Sequence, residues 1–206
     1  MHIKRLIFLN ILSLLLFLYI LYAVITHNCL NNIDTWVHTH IVAIQTPFLT
    51  KIIVFFTNLS GVLTNIVFAI LLLLYLSYKK YYKERRFYLY TVSGATILFL
   101  AIKQMVGRIR PDSNLIEVIN YSFPSGHATL SMTTVLLLYF IFIKKHRSSL
   151  VRYSVLILFL SWVMFVAFTR VYLNVHWLSD VVAGLALGVF WVSFMWLFLY
   201  KDQSQP

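Results

Sequence analysis

Three basic residues stand at or near the ends of long apolar segments and could together bind an anion: Lys103, Arg110 and Arg170. An ionisable side chain inside a bilayer costs about 2.5 to 3.5 kcal/mol on insertion scales, so it is expected to be paired, solvated or functional. The chain has only 6 Asp and Glu against 17 Lys and Arg, which leaves few carboxylates to pair with these cations. Phosphate suits them, because arginine offers a planar fork of donors to its oxygens and lysine a compact charge.

The segment Phe-Pro-Ser-Gly-His at residues 123–127 adds a second candidate phosphate contact. It precedes an apolar run, which is typical of a helix start where Ser125 caps and the first amides lack partners inside the helix. Those amides and the helix dipole favour an anion. Such a turn is by itself more often only a cap, but His127, directly after Gly126, favours a functional site.

A third group of candidate residues joins Arg170 to His176 and Asp180. Positions four apart share one face of a helix, so the Asp180 carboxylate can accept a hydrogen bond from one ring nitrogen of His176. The other nitrogen would then be free to attack phosphorus. A lone His and Asp pair is more often structural; beside three cations and a second histidine, a catalytic pair is favoured. Gly184 and Gly188 continue the same spacing and predict close packing of this helix against a neighbour.

Membrane-spanning helices must position these side chains. The chain of 206 residues is 61% hydrophobic, with a mean hydropathy of +0.83, and about 20 apolar residues cross a bilayer. We predict an all-α fold, a bundle of six transmembrane helices in a single domain over residues 1–206, with the catalytic motifs within 103–180. The more polar residues 31–50 predict a short interfacial helix after the first span. The predicted spans cover residues 6–25, 52–78, 87–107, 125–143, 151–171 and 178–200.

The first apolar run could also be a signal peptide, because it follows a basic start. It is longer than a typical signal core, and Thr26, His27 and Asn28 before Cys29 are not the small residues of a cleavage site. We therefore interpret it as an uncleaved span. Since Cys29 is the sole cysteine, a disulfide within the chain and a thiol-based metal cluster are excluded.

The distribution of lysine and arginine predicts the orientation of the bundle, because cytoplasmic loops collect these residues. With six spans, both termini lie at one end, and we predict that this end is cytoplasmic and the candidate site extracytoplasmic. Topology thus explains most of the net charge of +11, and no nucleic-acid partner is expected. The other end holds only Lys51, Lys103, Arg108, Arg110 and Arg170.

These motifs resemble the type 2 phosphatidic acid phosphatase (PAP2) family, which shares its site with vanadium haloperoxidases and bacterial acid phosphatases. Lys103, Arg110 and Pro111 match its first motif, residues 124–127 its second, and Arg170, His176 and Asp180 its third. Thr169 stands where the family usually has serine, a change that keeps the hydroxyl. Arg108 is an extra cation, which we interpret as a solvated charge rather than a substrate contact.

The resemblance implies that His176 attacks phosphorus to form a phosphohistidine, with Asp180 as its partner, while His127 protonates the leaving oxygen. It also implies that the phosphate is bound by Lys103, Arg110, Ser125, Gly126 and Arg170, without a metal or another cofactor. The expected substrate is a lipid phosphate in the membrane, and the compact chain looks most like bacterial members acting on undecaprenyl pyrophosphate or phosphatidylglycerophosphate. Specificity is expected to lie in residues 28–51 and 112–123.

Four alternatives remain at this stage. One is a phosphatidic acid phosphatase of broad specificity. A haloperoxidase is disfavoured by the apolar spans, and a catalytically inactive binding protein by the complete set of catalytic side chains. A lipid transporter or flippase would use buried charges to line a pathway, but it should show half-chain repeats with broken helices, and the sequence shows none.

Overall fold

The computed structural model describes residues 3–26, 30–112 and 115–200, without the side chains of Val62 and Tyr200. Within these residues the chain is all-helical, as predicted. Residues 27–29, which argued against a signal-peptide cleavage site, lie outside the described residues. The helices are α1 (Ile3–Ile25), α2 (Leu30–Ala43), α3 (Pro47–Leu59), α4 (Val62–Tyr78), α5 (Tyr82–Val106), α6 (Gly126–Leu138), α7 (Ser149–Tyr172) and α8 (Leu178–Tyr200).

Six helical segments are long and apolar enough to cross a membrane, which confirms the predicted number of spans. Helix α6 contributes one of them by continuing into a π-helical turn over Tyr139–Ile143. Helices α3 and α4 together form the second span. The six segments are Ile3–Ile25, Pro47–Tyr78, Tyr82–Val106, Gly126–Ile143, Ser149–Tyr172 and Leu178–Leu199.

The second span differs from its prediction at both its start and its middle. It begins at Pro47 because Thr46 caps it, with the threonine side chain accepting a hydrogen bond from the Leu49 amide at 3.3 Å, and proline fits the first helical turn. The separate helix α2 therefore ends at Ala43 rather than near residue 50. The span is interrupted after Leu59, where the Asn65 side chain donates to the carbonyls of Ser60 and Gly61 at 2.8 Å each. The bond to Ser60 satisfies a carbonyl at the break, whereas the Gly61 carbonyl also accepts from the Asn65 amide at 3.0 Å.

Helix α8 packs against both α1 and α6. Its approach to α6 is so close that a Cβ at Gly184 would lie 2.6 Å from the Ser125 carbonyl oxygen, and one at Gly188 would lie 2.9 Å from that of Thr129. The close packing predicted from these glycines is confirmed. On the other side, the Asn10 side chain of α1 donates to Phe190 O and Ser193 Oγ of α8, both at 2.9 Å.

The helix directions bring the candidate residues to one end of the bundle. Helices α5 and α7 end there, whereas α6 and α8 begin there. Helix α5 stops at Gly107, whose φ of 63° is in the left-handed region and whose amide donates to Lys103 O at 3.1 Å. Glycine suits this cap because it has no Cβ to clash in that conformation.

Candidate active site

Lys103 lies in the last turn of α5 and is only 3% exposed. Its ammonium donates to the carbonyl oxygens of Tyr121 at 2.8 Å and Ser122 at 3.4 Å. The segment that precedes α6 is therefore held over the end of α5. Its charge is met by carbonyl dipoles rather than by a carboxylate.

Arg110 is held by the loop that leads to α6 and by the segment that leads to α8. Its Nε donates to Asn120 O at 2.6 Å, its Nη2 to Asn120 Oδ1 at 2.7 Å, and its Nη1 to Val175 O. Burial lowers the pKa of the Arg110 guanidinium, and the Asp180 carboxylate partly opposes this shift. Nη1 also lies 3.5 Å from Nε2 of His176. Because arginine can only donate, this contact favours an Nε2 that carries a lone pair.

Arg170 stands near the end of α7 and is 3% exposed. Its Nη1 donates to Thr57 Oγ1 at 2.7 Å, whereas its buried Nε has no hydrogen-bond partner among the described residues. The hydroxyl of Thr169, the residue that departs from the family motif, lies 3.2 Å from the same Thr57 oxygen. Thr57 thus brings α3 into the site, a contact that the sequence did not predict.

Ser125 precedes α6 as its N-cap, as predicted, but its hydroxyl does not cap the helix. The buried Oγ has no hydrogen-bond partner among the described residues. The Ser125 amide donates to Asp180 O at 3.0 Å, which leaves the hydroxyl as the Ser125 group that could bind a ligand. The amides of Gly126 and His127 open the helix and have no acceptor within its own turns.

His176 lies between α7 and α8 and is 4% exposed. Burial holds the pKa of its imidazole well below the usual value, and the charges of Arg170, Arg110 and Lys103 lower it further. The ring is therefore neutral and can act as a nucleophile. His127 lies close enough to the same three cations and to His176 to be affected by their charges.

Asp180 is next to His176 as predicted, but the expected hydrogen bond is not formed. Nδ1 of His176 is 3.5 Å from Asp180 Oδ2, and it has no hydrogen-bond partner among the described residues. The Asp180 oxygens instead accept from Nη1 of Arg108 at 2.6 Å and from the Trp177 amide at 2.9 Å. The second bond resembles half of a capping box at the start of α8.

The interpretation of Arg108 as a solvated charge is wrong. Its guanidinium bridges two buried carboxylates, pairing with Asp180 at 2.6 Å and with Asp34 of α2 at 2.7 Å. The side chain of Asp34 is 2% exposed. A lone acid inside an otherwise uncharged helix was the signal that could have identified it.

The site is therefore a largely buried cup with an excess of positive charge. Among the described residues, no ion pair involves Lys103, Arg110 or Arg170. Three buried polar atoms, Ser125 Oγ, Arg170 Nε and His176 Nδ1, also lack hydrogen-bond partners there. A tetrahedral oxyanion fits such donors and charges. The described residues include no group of three or more His, Cys, Asp or Glu that could hold a metal ion.

Comparison with known proteins places this cup in a family. The model of the PAP2 superfamily matches residues 86–204, more than half of the chain. The chain belongs to the PAP2 superfamily. Its relatives are membrane lipid phosphatases: it is 28% identical over 182 residues to phosphatidylglycerophosphatase B of Bacillus subtilis, covering 86% of this chain and 88% of the relative. It is also 30% identical over 111 residues to a lipid A 4'-phosphatase of Bacteroides thetaiotaomicron, covering 48% of this chain and 44% of that protein.

Solved structures support the same membrane fold. The crystal structure of a transmembrane PAP2-type phosphatidylglycerolphosphate phosphatase from Bacillus subtilis matches with a TM-score of 0.80 at 23% identity, covering 96% of this chain and 98% of that one. Aquifex aeolicus LpxE matches with a TM-score of 0.61 at 21% identity, covering 77% and 91%. Asp34 and Thr57, the two site residues that sequence reasoning missed, both precede the part matched by the family model.

Proposed function

We propose that the protein is a membrane lipid phosphatase that hydrolyses a phosphomonoester or pyrophosphate terminus through a phosphohistidine intermediate. The observation that carries this proposal is the cup itself. Three cations, two of them buried and Arg110 half-buried, have no carboxylate partner among the described residues and surround the imidazole of His176, whose Nε2 faces Arg110. A phosphate supplies the charge that the cup lacks, and the imidazole supplies the nucleophile.

In the first step, Nε2 of His176 attacks phosphorus as the bond to the lipid oxygen breaks, while His127 gives that oxygen a proton. Lys103, Arg110, Arg170, Ser125 and the amide of Gly126 hold the phosphoryl oxygens and stabilise their charge in the transition state. The Asp180 carboxylate faces Nδ1 and stabilises the imidazole as it becomes positive. Water then attacks phosphorus with His127 as base, the nitrogen–phosphorus bond breaks, and phosphate leaves.

The reaction is proposed to need no metal, because the three cations occupy the role that magnesium has in many phosphoryl-transfer sites. A magnesium site would need oxygen ligands such as carboxylates. Here the one carboxylate next to the nucleophile is already ion-paired with Arg108. Activity should therefore persist in EDTA. Activity that is lost in EDTA and restored by magnesium would contradict this part of the proposal.

The substrate is proposed to be undecaprenyl pyrophosphate or phosphatidylglycerophosphate, with broad phosphatidic acid phosphatase activity as the alternative. The relative from Bacillus subtilis that covers most of the chain is a phosphatidylglycerophosphatase, and the cup lies where apolar helices end. A lipid can place its phosphate there while its tail stays in the bilayer. We place the protein in the cell membrane with cytoplasmic termini and an extracytoplasmic site.

The test is a panel assay of the purified protein in detergent with these three lipids, measuring phosphate release. We expect turnover of at least one lipid and inhibition by vanadate, which adopts the geometry of the phosphoryl transition state. The His176→Ala variant is the matched negative control. Lipid movement across vesicles without phosphate release from any lipid would support a transporter and contradict the proposed function.

A further inference from the structure

A cavity of about 600 Å³ lies at the end of the bundle opposite the catalytic cup. Helices α1 and α7 flank it, while α6 with its π-helical turn and α8 form its floor. Its described lining carries three cations and no carboxylate: Arg5 from α1, Lys144 directly after the π-helical turn, and Arg152 from α7. The positive charge of the cavity therefore comes from three separate elements.

Two of the three cations, Lys144 and Arg152, are held in place by contacts within the chain. The Lys144 ammonium lies 4.0 Å from the ring centroid of Trp196 and 5.0 Å from that of Phe140. Burial lowers the pKa of Lys144, and the neighbouring Lys145 adds to the shift. Arg152 donates through Nη1 to His146 O at 2.7 Å. A bound anion would offset both the desolvation of Lys144 and its repulsion from Lys145.

The walls below these charges are apolar and favour an acyl chain. Leu9, Leu136, Leu156 and Val189 continue the cavity into the span. The π-helical turn over Tyr139–Ile143 widens α6 at this level, and π-helical turns occur frequently at functional sites. The tendency of basic residues to collect in cytoplasmic loops explains why these loops are charged. It does not explain why cations from three separate elements line one apolar cavity.

We infer that this cavity binds an anionic phospholipid, with the headgroup phosphate between Arg5, Lys144 and Arg152 and the first chain carbons against the leucines. Basic pockets between transmembrane helices bind acidic headgroups in this way. The lipid is a phosphodiester ligand rather than a substrate, since the cavity lies away from the cup and its described lining contains no histidine.

The test compares binding of phosphatidylglycerol and phosphatidylcholine to the purified protein by native mass spectrometry and by the melting temperature in mixed micelles. The double variant Arg5→Gln and Arg152→Gln should weaken phosphatidylglycerol binding by roughly tenfold or more. Lys80→Gln with Lys83→Gln is the matched control, because both lysines are exposed, belong to the same end and do not line the cavity.

The control pair should keep the preference of the wild type for phosphatidylglycerol. Inorganic phosphate, which the proposed cup also binds, should shift the melting temperature equally in the wild type and in the Arg5 and Arg152 variant. An unchanged preference in the Arg5 and Arg152 variant would overturn the inference. Equal loss in the control variant would also overturn it, because the binding would then reflect general charge. A phosphate-induced melting shift that the Arg5 and Arg152 variant loses would overturn the lipid assignment in favour of a small anion.

A second inference comes from Asp34, which accepts two hydrogen bonds from Ser179 at the start of α8 and one from Arg108. Its Oδ1 accepts from the Ser179 amide at 2.9 Å, and its Oδ2 accepts from the Ser179 hydroxyl at 2.5 Å and from Arg108 at 2.7 Å. Arg108 also donates to the Ser179 hydroxyl at 2.7 Å and pairs with Asp180. One buried network thus joins α2 to the carboxylate beside the proposed nucleophile.

We propose that Asp34 and Arg108 are positioning residues for Asp180 and, through it, for His176; this inference rests on the proposed function. Arg108 binds one Asp180 oxygen while the Trp177 amide binds the other, which fixes the carboxylate plane beside Nδ1. Asp34 in turn fixes the Arg108 guanidinium. Because Arg108 also pairs with Asp34, it neutralises the Asp180 carboxylate only in part. Neither side chain needs to touch the substrate.

The test measures kcat, KM and the pH–rate profile of Asp34→Asn and Arg108→Gln. We expect kcat to fall by about tenfold or more with little change in KM, because small misplacements of catalytic groups reduce turnover strongly. In Arg108→Gln the acidic limb should move to higher pH, since loss of a cation lets His176 take a proton more readily. Arg108→Lys keeps the positive charge, so its acidic limb should stay at the pH of the wild type.

The melting temperatures of the single variants and the double variant give a readout that does not depend on turnover. Their effects should be non-additive, because the two side chains are in contact. Glu84→Gln, which removes a carboxylate at the other end of the bundle, should match the wild type. An active enzyme whose Asp34→Asn variant keeps its kcat would overturn the positioning role. A wild type without phosphatase activity, in which the two substitutions still have non-additive effects on the melting temperature, would overturn the proposed function instead.

Discussion

At the scale of single residues, His176 and His127 have different surroundings that predict different roles. Nε2 of His176 faces Arg110, and its Nδ1 faces Asp180, whereas His127 opens α6 beside Gly126. We expect His176→Ala to abolish turnover. His127→Ala should lose about 10²- to 10⁴-fold on a lipid substrate, the usual contribution of general acid–base catalysis, but much less on p-nitrophenyl phosphate, whose leaving group needs no proton. Equal residual activity of the two variants on both substrates would contradict these roles.

The acidic limb of the pH dependence should also report His176. Only the neutral imidazole is a nucleophile, and the pKa of His176 is lowered well below its usual value by burial and by nearby cations. Protonation should therefore begin to reduce kcat/KM only well below about pH 6.5, the ordinary histidine value. A pH–rate profile of the wild type with a soluble substrate measures this limb. A limb at or above pH 6.5 would mean that the free enzyme carries a protonated His176 at neutral pH.

The sequence identified the residues with chemical groups for the reaction, but not those that hold them. Lys103, Arg110 and Arg170 were predictable because a charge in an apolar segment is costly and needs a reason. The pairing of Arg108 with Asp34 could not be predicted, because it joins residues 74 positions apart and depends on where α2 lies. Thr57 gave even less signal, since a hydroxyl inside a span can bond to its own helix.

At the scale of helices, the contact between α8 and α6 controls the start of α6. A methyl group at position 184 would lie 2.6 Å from the Ser125 carbonyl, so Gly184→Ala must displace the segment that carries Ser125 and His127. Helix propensity alone predicts that this change stabilises α8 by about 1 kcal/mol. Overpacking costs about 1 to 3 kcal/mol, and we expect it to dominate.

We therefore expect Gly184→Ala to lower the melting temperature and to reduce kcat at least tenfold, because the phosphate contacts shift. Phe198→Ala on the same helix is the control, since its side chain is 71% exposed and should tolerate truncation in both measurements. A variant that melts at a higher temperature than the wild type and keeps full activity would show that helix propensity, rather than the contact with Ser125, determines the effect of this substitution.

Apolar run length predicted the existence of the spans better than their interruptions. Each span needs about 20 apolar residues, and this requirement was visible in every segment. The break after Leu59 was not visible, because serine and glycine are common inside transmembrane helices. The hydrogen bond that stabilises the break comes from the side chain of Asn65, five residues after Ser60. Pro47 was assigned to the interfacial helix, although it fits the first turn of the next one.

At the scale of the whole molecule, the two ends of the bundle carry positive charge for different reasons. At the cup, Lys103 and Arg170 are buried, Arg110 is half-buried, and these cations donate to carbonyls and hydroxyls. At the other end, most of the described cations are exposed, in loops and in the terminal turns of helices, as expected for residues that set the orientation. The same distribution therefore predicts that the cup faces away from the cytoplasm.

This orientation can be tested with two single-cysteine proteins in which Cys29 is replaced by serine. Ile119→Cys places a thiol next to the cup at a position whose side chain is fully exposed, and Lys145→Cys places one in the exposed loop after α6. A membrane-impermeant maleimide applied to intact cells should label Ile119→Cys and should label Lys145→Cys only after permeabilisation. Retained phosphatase activity of both proteins controls for correct folding. The reverse pattern would place the cup in the cytoplasm, where its substrate would have to come from the inner leaflet.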